Sequence, residues 1–373
     1  MAITPKTLIG EIRKGHELDV TKLEAFLQRE IKKELAMPLT IKQFNVGQSN
    51  PTYLIIDSSG RKFVLRKKPA GQLLSKTAHA VEREYRVLDA LGRHSNVPVP
   101  RVYALCEDPS VIGTPFYLME FLEGRIFPDA RLPEVPPHER PQYWSALVST
   151  LAKLHKVDYK AVGLEGYGRP SGYYERQLRS LSKVEAAQAA ATDKHGNAVG
   201  SLQRLDELKS WFSQRECPDE TAIVHGDFKM DNVMWHKTRP EIIGILDWEL
   251  STLGNPRTDL ANLLQPLLTP YNMPGPFKGL KDAPASEFPP DEQVLLGQYC
   301  MEIGRPYPLA GWDYAVVFGL FRNAVIMQGV AARLAKGQAS SSFANIVAKQ
   351  FPVVMALAMS VADGSFRTKQ SKL

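Results

Sequence analysis

Cysteine is scarce in this chain of 373 residues. Only Cys106, Cys217 and Cys300 occur, far apart and without a Cys-x-x-Cys spacing. This pattern excludes a disulfide framework and a zinc site of the usual cysteine spacing. It fits a reducing compartment.

Long apolar runs and long basic runs are lacking as well. No stretch approaches the roughly 20 uncharged apolar residues of a membrane span, and the first residues lack the charged-then-apolar pattern of a secretory signal. The formal net charge of +6 is spread along the chain. We therefore expect no membrane span and no nucleic-acid partner, whereas an anionic ligand such as a nucleotide remains compatible with the charge.

The hydrophobic content of 44% is enough to fill one large two-lobed domain or two ordinary domains. Between Ile41 and Leu65, short runs rich in β-branched and aromatic residues are broken at 47–51 and 57–60, which predicts three strands. Apolar residues at helical spacing predict a helix from Ala78 to Leu91 that ends near Gly92. The predicted architecture is α+β, with a small antiparallel sheet first and a mostly helical second part.

Further elements follow the same patterns. The predicted helices and strands are a first helix behind Asp19 that includes Ile31, strands near 101–106 and 116–121, helices over 143–156 and 314–335, and short strands at 222–224, 233–235 and 242–246. Two stretches, Ala186 to Gly200 and Thr269 to Pro290, are predicted to be mobile loops, the second because it contains six prolines.

Residues that can carry chemistry concentrate in two short segments, HGDFKMDN at 225–232 and ILDWE at 245–249. Phosphoryl transfer needs a carboxylate that orients the attacking hydroxyl and accepts its proton, and oxygen ligands that hold magnesium against the phosphates. We predict Asp227 as the catalytic carboxylate and Asn232 and Asp247 as the metal ligands, because the spacing and order match a kinase catalytic loop and its metal-binding Asp.

Each of these three residues alone is also a common turn or cap residue. Their combination between predicted strands favours the catalytic interpretation. His225 is interpreted as a hydrogen-bonded scaffold for Asp227 rather than as a proton-transfer group.

The loop between the first two predicted core strands offers Gly47, Gln48, Ser49, Asn50 and Thr52 as residues that could cover nucleotide phosphates. The loop lacks the usual glycine spacing of such covers, so a plain hairpin turn is the alternative.

A basic residue is expected on the third strand of a kinase, with an acidic partner on the following helix. Arg66 and Glu84 fill these positions. Lys67 is the alternative to Arg66 because strand alternation cannot fix the register, and a solvated charge run beside a locally paired Glu84 is a second alternative.

The segment from Tyr117 to Gly124 joins the two predicted lobes. The backbone at Glu120 and Leu122 could hydrogen-bond a nucleotide base there. A buried edge strand is the alternative.

Together these motifs resemble the aminoglycoside phosphotransferase family, a branch of the protein-kinase-like fold. The likeness is closer to one subgroup, the kinase-like domain at the amino end of certain acyl-CoA dehydrogenase family members. It is carried by the phrases GQSNPTYLI, FVLRKKP, SKTAHAVEREYRVLDAL, PSVIGTPFYLMEFLEGR, VHGDFKMDN, IGILDWELSTLGNP and QGVAARLAKGQASS. The resemblance runs from about Phe44 to Phe343.

The resemblance implies a bilobal protein-kinase-like fold with ATP and Mg²⁺ as cofactors. The expected division is a helical extension over 1–35, a nucleotide-covering N-lobe over 36–122, a C-lobe with the catalytic loop and the acceptor site over 123–368, and a targeting tail over 369–373. The Pro-rich loop 269–290 and the long helix that bears Arg322 are expected to shape the acceptor site.

The subgroup is similar to enzymes that phosphorylate 4-hydroxyacyl-CoA esters for an attached acyl-CoA dehydrogenase-like domain. No dehydrogenase region precedes Leu373, so a separate acyl-CoA dehydrogenase-like enzyme is the expected partner for the next step. Two alternatives remain: a kinase of another hydroxyl compound, aminoglycoside-like or choline-like, and a nucleotide-binding pseudokinase scaffold.

The last three residues, Ser371-Lys372-Leu373, match a peroxisomal address. They predict recognition by the peroxisomal import receptor and a location in the peroxisomal matrix. In a bacterial source the expected location is cytoplasmic.

Overall fold

The structure is a computed structural model that describes residues 4, 8–45, 50–69, 80–273, 279–338 and 343–368, with only the main chain for 367 and 368. The chain forms two compact units. The first combines Met1–Pro128, Lys156–Tyr167 and His225–Ser251; the second combines Asp129–His155, Gly168–Val224 and Thr252–Leu373. Residues 225–251 thus belong to the same unit as the large sheet. The sequence prediction instead placed them in the C-lobe, which begins at residue 123. The division into two lobes stays a prediction.

The first unit is built on an antiparallel six-stranded sheet with the strand order β1-β2-β3-β4-β6-β5. Its strands are β1 (Ile9–Gly10), β2 (Thr40–Phe44), β3 (Thr52–Ile56), β4 (Lys62–Lys67), β5 (Val102–Cys106) and β6 (Phe116–Glu120). The predicted antiparallel sheet is therefore confirmed. Sequence patterns did not predict β1, whose two residues pair with Phe44 and Gln43 and extend the sheet edge.

One face of this sheet packs against helix α1 (Val20–Ile31). Asp19 caps this helix, because its carboxylate accepts a hydrogen bond from the main-chain N–H of Lys22 at 3.1 Å. Phe26 meets Phe116 of β6 edge to face, with ring centroids 5.4 Å apart. The segment predicted as an N-terminal extension thus contributes to the core of the first unit.

Helix α2 (Val81–His94) belongs to the same unit and carries Glu84. It continues past the predicted end at Gly92 by two residues, because no left-handed conformation occurs at Gly92 and the helix ends where Ser95 becomes extended. The main-chain N–H of Ser95 donates to the carbonyl of Leu91 and closes the last turn of the helix.

The second unit is mostly helical, as predicted. The helices of the second unit are α4 (Arg140–His155), α5 (Tyr173–Ala189), α6 (Leu205–Ser213), α7 (Arg257–Leu268), α8 (Glu292–Ile303), α9 (Trp312–Ala335), α10 (Ala344–Val347), α11 (Phe351–Ala362) and α12 (Ser365–Thr368); the short α3 (Pro109–Ile112) belongs to the first unit. Two ribbons complete the strands: β7 (Ala222–Val224) with β10 (Thr252–Gly254) in the second unit, and β8 (Val233–Trp235) with β9 (Ile242–Ile245) in the first.

The two predicted mobile loops are partly ordered. Helix α5 continues through Ala189, so the first four residues of the stretch 186–200 are helical. In the stretch 269–290, the main-chain N–H groups of Leu280 and Lys281 bond to the carbonyls of Pro266 and Thr269 at 2.7 and 3.0 Å. These bonds connect residues 280 and 281 of the Pro-rich loop to the C-terminal end of α7.

Helix α9 is long and apolar enough to cross a membrane by length and composition, with a hydropathy of 1.5 over 18 residues. Two thirds of that window, 67%, is buried within the protein. A core helix meets the same criterion, so α9 is weak support for a membrane span.

Candidate active site

A cavity of about 290 Å³ lies within the first unit. Its apolar wall includes Val64, Met119, Phe121, Leu122, Met234 and Ile245. Its polar wall includes Asn50, Thr52, Arg66, Asp231, Asn232 and Asp247. The cavity thus combines a slot for a flat apolar group with a charged end, and it brings together candidates that are far apart in the sequence.

Arg66 projects into the charged end of this cavity from β4. Its Nη2 lies 2.6 Å from Oδ1 of Asp247 and 3.4 Å from Oε2 of Glu249. Its Nε lies 3.2 Å from Oε2 of Glu84, and among the described residues this buried Nε makes no hydrogen bond. Burial acts to lower the pKa of Arg66, but Glu84 and Asp247 outweigh it and raise the pKa, so the guanidinium keeps its charge.

The register of β4 decides between Arg66 and Lys67. Arg66 pairs with Tyr117 and Thr52 on the neighbouring strands, and its side chain lines the cavity. Lys67 points to the opposite face, where its Nζ donates to the carbonyl of Ile112 at 2.9 Å and burial lowers its pKa. The predicted contact between Arg66 and Glu84 is present, and Lys67 does not replace Arg66.

Glu84 is the centre of a buried network, with only 1% of its side chain exposed. Besides Arg66, it accepts hydrogen bonds from Nδ2 of Asn50 at 2.9 Å and from the hydroxyl of Tyr117 at 3.1 Å. Burial raises the pKa of Glu84 to about 7, although Arg66 acts to lower it. Asn50 therefore helps to hold Glu84, and Thr52 donates to the main chain of Asn50.

The catalytic-loop candidates also lie together. Nδ2 of Asn232 donates to both the main-chain oxygen and the Oδ2 of Asp227, each at 2.9 Å. Nζ of Lys229 lies 3.1 Å from the same Oδ2 and 3.6 Å from Asp231. Burial acts to lower the pKa of Lys229, but Asp227 and Asp231 outweigh it and raise the pKa.

His225 is fully buried beneath this loop. Its Nε2 lies 2.8 Å from the carbonyl oxygen of Leu246, while its Nδ1 accepts the main-chain N–H of Asp227 at 3.2 Å. A neutral ring protonated on Nε2 satisfies both contacts. This geometry agrees with the interpretation of His225 as a scaffold.

Asp247 adopts a left-handed backbone conformation, with φ 63° and ψ 62°. Such a conformation is uncommon outside glycine, although Asp tolerates it better than most residues, and it occurs often at functional sites. The side chain of Asp247 is 38% exposed. The turn therefore presents a partly accessible carboxylate beside Arg66.

The ribbon β8–β9 explains why Asn232 and Asp247 are neighbours. Asn232 immediately precedes β8, and Leu246 immediately follows β9. Val233 pairs with Ile245 across the ribbon, and the main-chain N–H of Leu246 donates to the carbonyl of Asn232 at 2.8 Å. Both candidate metal ligands are therefore held at the same end of one hairpin.

The donor set at this end fits magnesium. Because Nδ2 of Asn232 is engaged with Asp227, its Oδ1 is the atom oriented to bind a cation, and Asp247 supplies a carboxylate. Magnesium prefers such oxygen ligands and commonly takes only one or two from the protein, with water and phosphate completing the shell. Among the described residues, no group of three or more His, Cys, Asp or Glu side chains is placed to hold a metal ion.

The segment after β6 borders the apolar part of the cavity. The carboxylate of Glu120 accepts the main-chain N–H of Arg101 at 3.1 Å, and the main-chain N–H of Glu120 donates to the carbonyl of Arg101 at 2.7 Å, so neither group is free for a base. A side chain on Gly244 would meet Leu122 at 2.2 Å, and one on Gly124 would meet the carbonyl oxygen of Trp235 at 2.2 Å. Glycine at these two positions lets the segment lie directly on the ribbon β8–β9.

Three of the predicted phosphate-covering residues, Gly47, Gln48 and Ser49, lie outside the described residues. So does the tail 369–373. Conversely, sequence reasoning missed Lys229 and Glu249 as members of the charged cluster. Their positions two residues after Asp227 and Asp247 were the available signal.

The chain is similar to a known enzyme family and to several longer proteins. Residues 40–282 match the family described as "Phosphotransferase enzyme family". A relative from Arabidopsis thaliana, named "Probable acyl-CoA dehydrogenase IBR3", is 40% identical over 347 residues, which are 90% of this chain and 41% of that protein. "Acyl-CoA dehydrogenase family member 11" of Gallus gallus is 39% identical over 361 residues, 94% of this chain and 44% of that protein. The chain thus spans about two fifths of the length of these relatives.

Solved structures agree with this. A structure from Ralstonia eutropha, described as an aminoglycoside phosphotransferase, superposes with a TM-score of 0.82 at 36% identity. The match covers 93% of this chain and 99% of that chain. A mutant of aminoglycoside phosphotransferase APH(4)-Ia, in a ternary complex with AMP-PNP and hygromycin B, has a TM-score of 0.52 at 16% identity over 92% of this chain and 99% of its own, and shows the fold alone. These likenesses confirm the predicted fold class and the resemblance drawn from the motifs.

Proposed function

Because the chain belongs to the phosphotransferase enzyme family, we propose that it transfers the terminal phosphoryl group of ATP, with Mg²⁺, to a hydroxyl group of a 4-hydroxyacyl-CoA. The class of enzyme, an ATP-dependent phosphotransferase with an alcohol group as acceptor, follows from that membership. One observation carries the assignment of the nucleotide site: Arg66 stands at the charged end of an apolar slot, between Glu84 and Asp247.

In this proposal the base occupies the apolar slot against Val64, Met119 and Ile245. The carbonyl of Glu120 and the main chain of Leu122 would hydrogen-bond it there. Arg66 then binds phosphate oxygens. Its guanidinium keeps its positive charge at this end of the cavity, and a charged guanidinium is a strong donor to phosphate oxygens. Glu84 holds the guanidinium from the opposite side.

Asn232 and Asp247 would hold magnesium, which when bound supplies positive charge that shields the phosphates from the approaching hydroxyl. Asp227 orients that hydroxyl and accepts its proton. Lys229 lies 3.1 Å from Asp227, and its positive charge can stabilise charge on the transferred group.

The acceptor is proposed from the relatives. Several of them are named as acyl-CoA dehydrogenase family members, and the chain matches only about two fifths of their length. Those names concern proteins that process acyl-CoA, which makes a hydroxyacyl-CoA the acceptor class that fits best. An acyl-CoA dehydrogenase-like activity would then act on the product.

A second candidate acceptor is an aminoglycoside-like hydroxyl compound. It is favoured by the Ralstonia eutropha structure, which is described as an aminoglycoside phosphotransferase and is 36% identical to this chain. The catalytic residues would be the same for both acceptors. Only the acceptor distinguishes the two proposals.

The test is a product assay with the purified protein, ATP and Mg²⁺, run against hydroxyacyl-CoAs of several chain lengths, the matching free hydroxy acids and aminoglycosides. The proposal predicts a phosphorylated hydroxyacyl-CoA by mass spectrometry, with none from an Asp227→Asn control. A product from aminoglycosides alone would replace the acyl-CoA proposal with the second candidate. Nucleotide binding without any product across the panel would support the pseudokinase alternative.

The peroxisomal location stays a proposal that rests on Ser371-Lys372-Leu373, beyond the described residues. An amino-terminal fluorescent fusion in a eukaryotic cell should coincide with a peroxisomal marker and become diffuse when these three residues are deleted. Diffuse signal from the intact fusion would remove the proposal and with it the import receptor as a partner.

A further inference from the structure

Helix α2, which carries Glu84, is fastened along one side to the segment Lys156–Tyr167 of the same unit. Nη2 of Arg83 donates to the carbonyl of Tyr167 at 2.8 Å, and the guanidinium lies over the Tyr167 ring, 4.3 Å from its centroid. One turn further along, Arg86 donates to the carbonyls of Gly163 and Glu165 at 3.1 and 2.8 Å. Two arginines on one face of α2 therefore fix the helix to one loop.

The hydroxyl of Tyr167 continues these contacts to a second part of the site. Only 1% of Tyr167 is exposed. Its hydroxyl makes a short hydrogen bond with Oγ of Ser251, in which Tyr167 is the donor because Ser251 uses its own proton elsewhere. The same hydroxyl lies 3.3 Å from the carbonyl oxygen of Arg83. Ser251 in turn donates to the carbonyl of Trp248 at 2.6 Å and accepts from Arg83 on its own carbonyl at 3.3 Å.

Arg83, Tyr167 and Ser251, here named the α2 clamp, connect two residues that flank Arg66. Arg83 immediately precedes Glu84, and Ser251 closes the turn that begins at Asp247 and Trp248. Arg66 lies between those two carboxylates, 3.2 Å from one and 2.6 Å from the other. A change in the distance between α2 and this turn therefore changes the position of the guanidinium.

We propose that the α2 clamp is a positioning device that sets the separation of Glu84 and Asp247 and so orients Arg66 toward the nucleotide phosphates. This inference rests on the proposed nucleotide site. Tyr167 does not line that cavity and acts only through α2 and the turn. The hydroxyl of Tyr167 is the central group, because it bonds to both connected parts and burial raises its pKa, which keeps it protonated as a donor.

The clamp predicts a loss of nucleotide affinity that a purely structural contact would not cause. In Tyr167→Phe the ring still stacks on Arg83, while the hydrogen bond that the hydroxyl donates to Ser251 is lost. We expect the Kd for ADP with Mg²⁺, measured by titration calorimetry, to rise about three- to tenfold, the effect of one lost hydrogen bond. Tyr103→Phe is the matched control: it removes a partly buried hydroxyl on β5 of the same unit, away from the cavity, and should stay within about twofold of the unmodified chain.

A double-mutant cycle identifies the route. If the clamp acts through Glu84, Tyr167→Phe should weaken ADP binding in the unmodified chain but add little in a Glu84→Gln background. An equal loss in both backgrounds would overturn the inference, as would an unchanged Kd in Tyr167→Phe. Ser251→Ala removes the same bond from the other side, should give a loss of similar size, and serves if Tyr167→Phe does not fold.

The outcomes separate the clamp from the proposed function. If the unmodified chain binds ADP with Mg²⁺ and the clamp variants bind equally well, only the positioning role fails. If the unmodified chain binds no adenine nucleotide, the proposed nucleotide site fails and the clamp fails with it.

Discussion

Two buried polar clusters in this protein have similar chemistry and different surroundings. In the first unit, Arg66, Glu84 and Tyr117 form the cluster at the cavity. In the second unit, Nδ1 of His155 lies 2.7 Å from the hydroxyl of Tyr299 and its Nε2 lies 3.4 Å from Oδ2 of Asp259. Both clusters join an acid, a base and a phenol.

The difference lies in access. The side chains of His155 and Asp259 are 2% and 0% exposed, and a neutral ring with Nε2 protonated satisfies both neighbours. The site cluster continues instead to Asp247, whose side chain is 38% exposed. Burial and pairing alone therefore do not mark a site; an accessible end does. We assign the second cluster to stability.

The sharpest test of this comparison is Asp227→Asn, because it removes the proposed base from the accessible site. We expect the turnover rate to fall by about a thousandfold or more, with the Kd for ADP within about threefold of the unmodified chain. Steady-state rates and calorimetry measure the two quantities. Near-normal turnover would show that Asp227 is not the base.

The second test concerns the buried cluster of His155, Tyr299 and Asp259. It compares the folding stability of Asp259→Ala with that of Asp227→Ala, which changes the proposed active site. Removing a buried carboxylate leaves its hydrogen-bond partners without an acceptor and typically costs about 1–3 kcal/mol of folding stability, so the urea midpoint should fall clearly for Asp259→Ala and little for Asp227→Ala. An unchanged midpoint for Asp259→Ala would contradict the assignment of this cluster to stability.

Adjacent residues on β4 give a third test. Arg66→Met should weaken ADP binding by about tenfold to a hundredfold, as expected for the loss of a charged hydrogen-bond donor. Lys67→Met replaces the neighbouring basic side chain on the opposite face and should change the Kd by less than about twofold. Equal losses from both variants would mean that the positive charge, and not its placement, decides nucleotide binding.

The smallest expected effect is the pH dependence contributed by Glu84. Its pKa is raised from 4.5 to about 7 by burial, with Asp247 and Glu249 adding to the rise and Arg66 and Tyr117 opposing it. A carboxyl whose folded pKa exceeds its unfolded value contributes stability that is complete below pH 4.5 and is lost as the pH rises through about 7.

Glu84→Gln should therefore lose less stability than the unmodified chain between about pH 5 and pH 8. The difference in melting temperature, variant minus unmodified chain, should grow by about 2 °C or more over that range. Parallel melting curves across this pH range would mean that Glu84 titrates near its ordinary pKa.

The sequence predicted best what is local. The loop 225–232 holds Asp227 and Asn232 within six residues, so their spacing alone indicates a shared role, and the predicted strands around it are present. The contact of Arg66 with Glu84 was predictable from the order of elements, but the choice of Arg66 over Lys67 required the sheet register, which neighbouring strands impose.

Contacts between segments that are far apart in the sequence could not be predicted from local patterns. Tyr167 lies 84 residues from both Arg83 and Ser251, in a segment without periodicity, so nothing in the sequence connects it with the site. Strand β1 was missed because two residues are too short to show alternation, and its pairing depends on β2. The end of α2 was misplaced because glycine ends a helix only when it turns left-handed, which Gly92 does not.

The close fit of the segment after β6 on the ribbon β8–β9 has a consequence for how fast and how tightly a nucleotide binds. Arg125 and Trp235 exchange two main-chain hydrogen bonds of 2.9 Å, and Gly124 allows no space for a side chain between the two strands. These contacts hold the backbone beside the apolar slot directly against the wall formed by Met234. In the proposed nucleotide site, binding therefore needs little further ordering of the protein. We expect association at the rate of a simple docking event, with the affinity set chiefly by the dissociation rate.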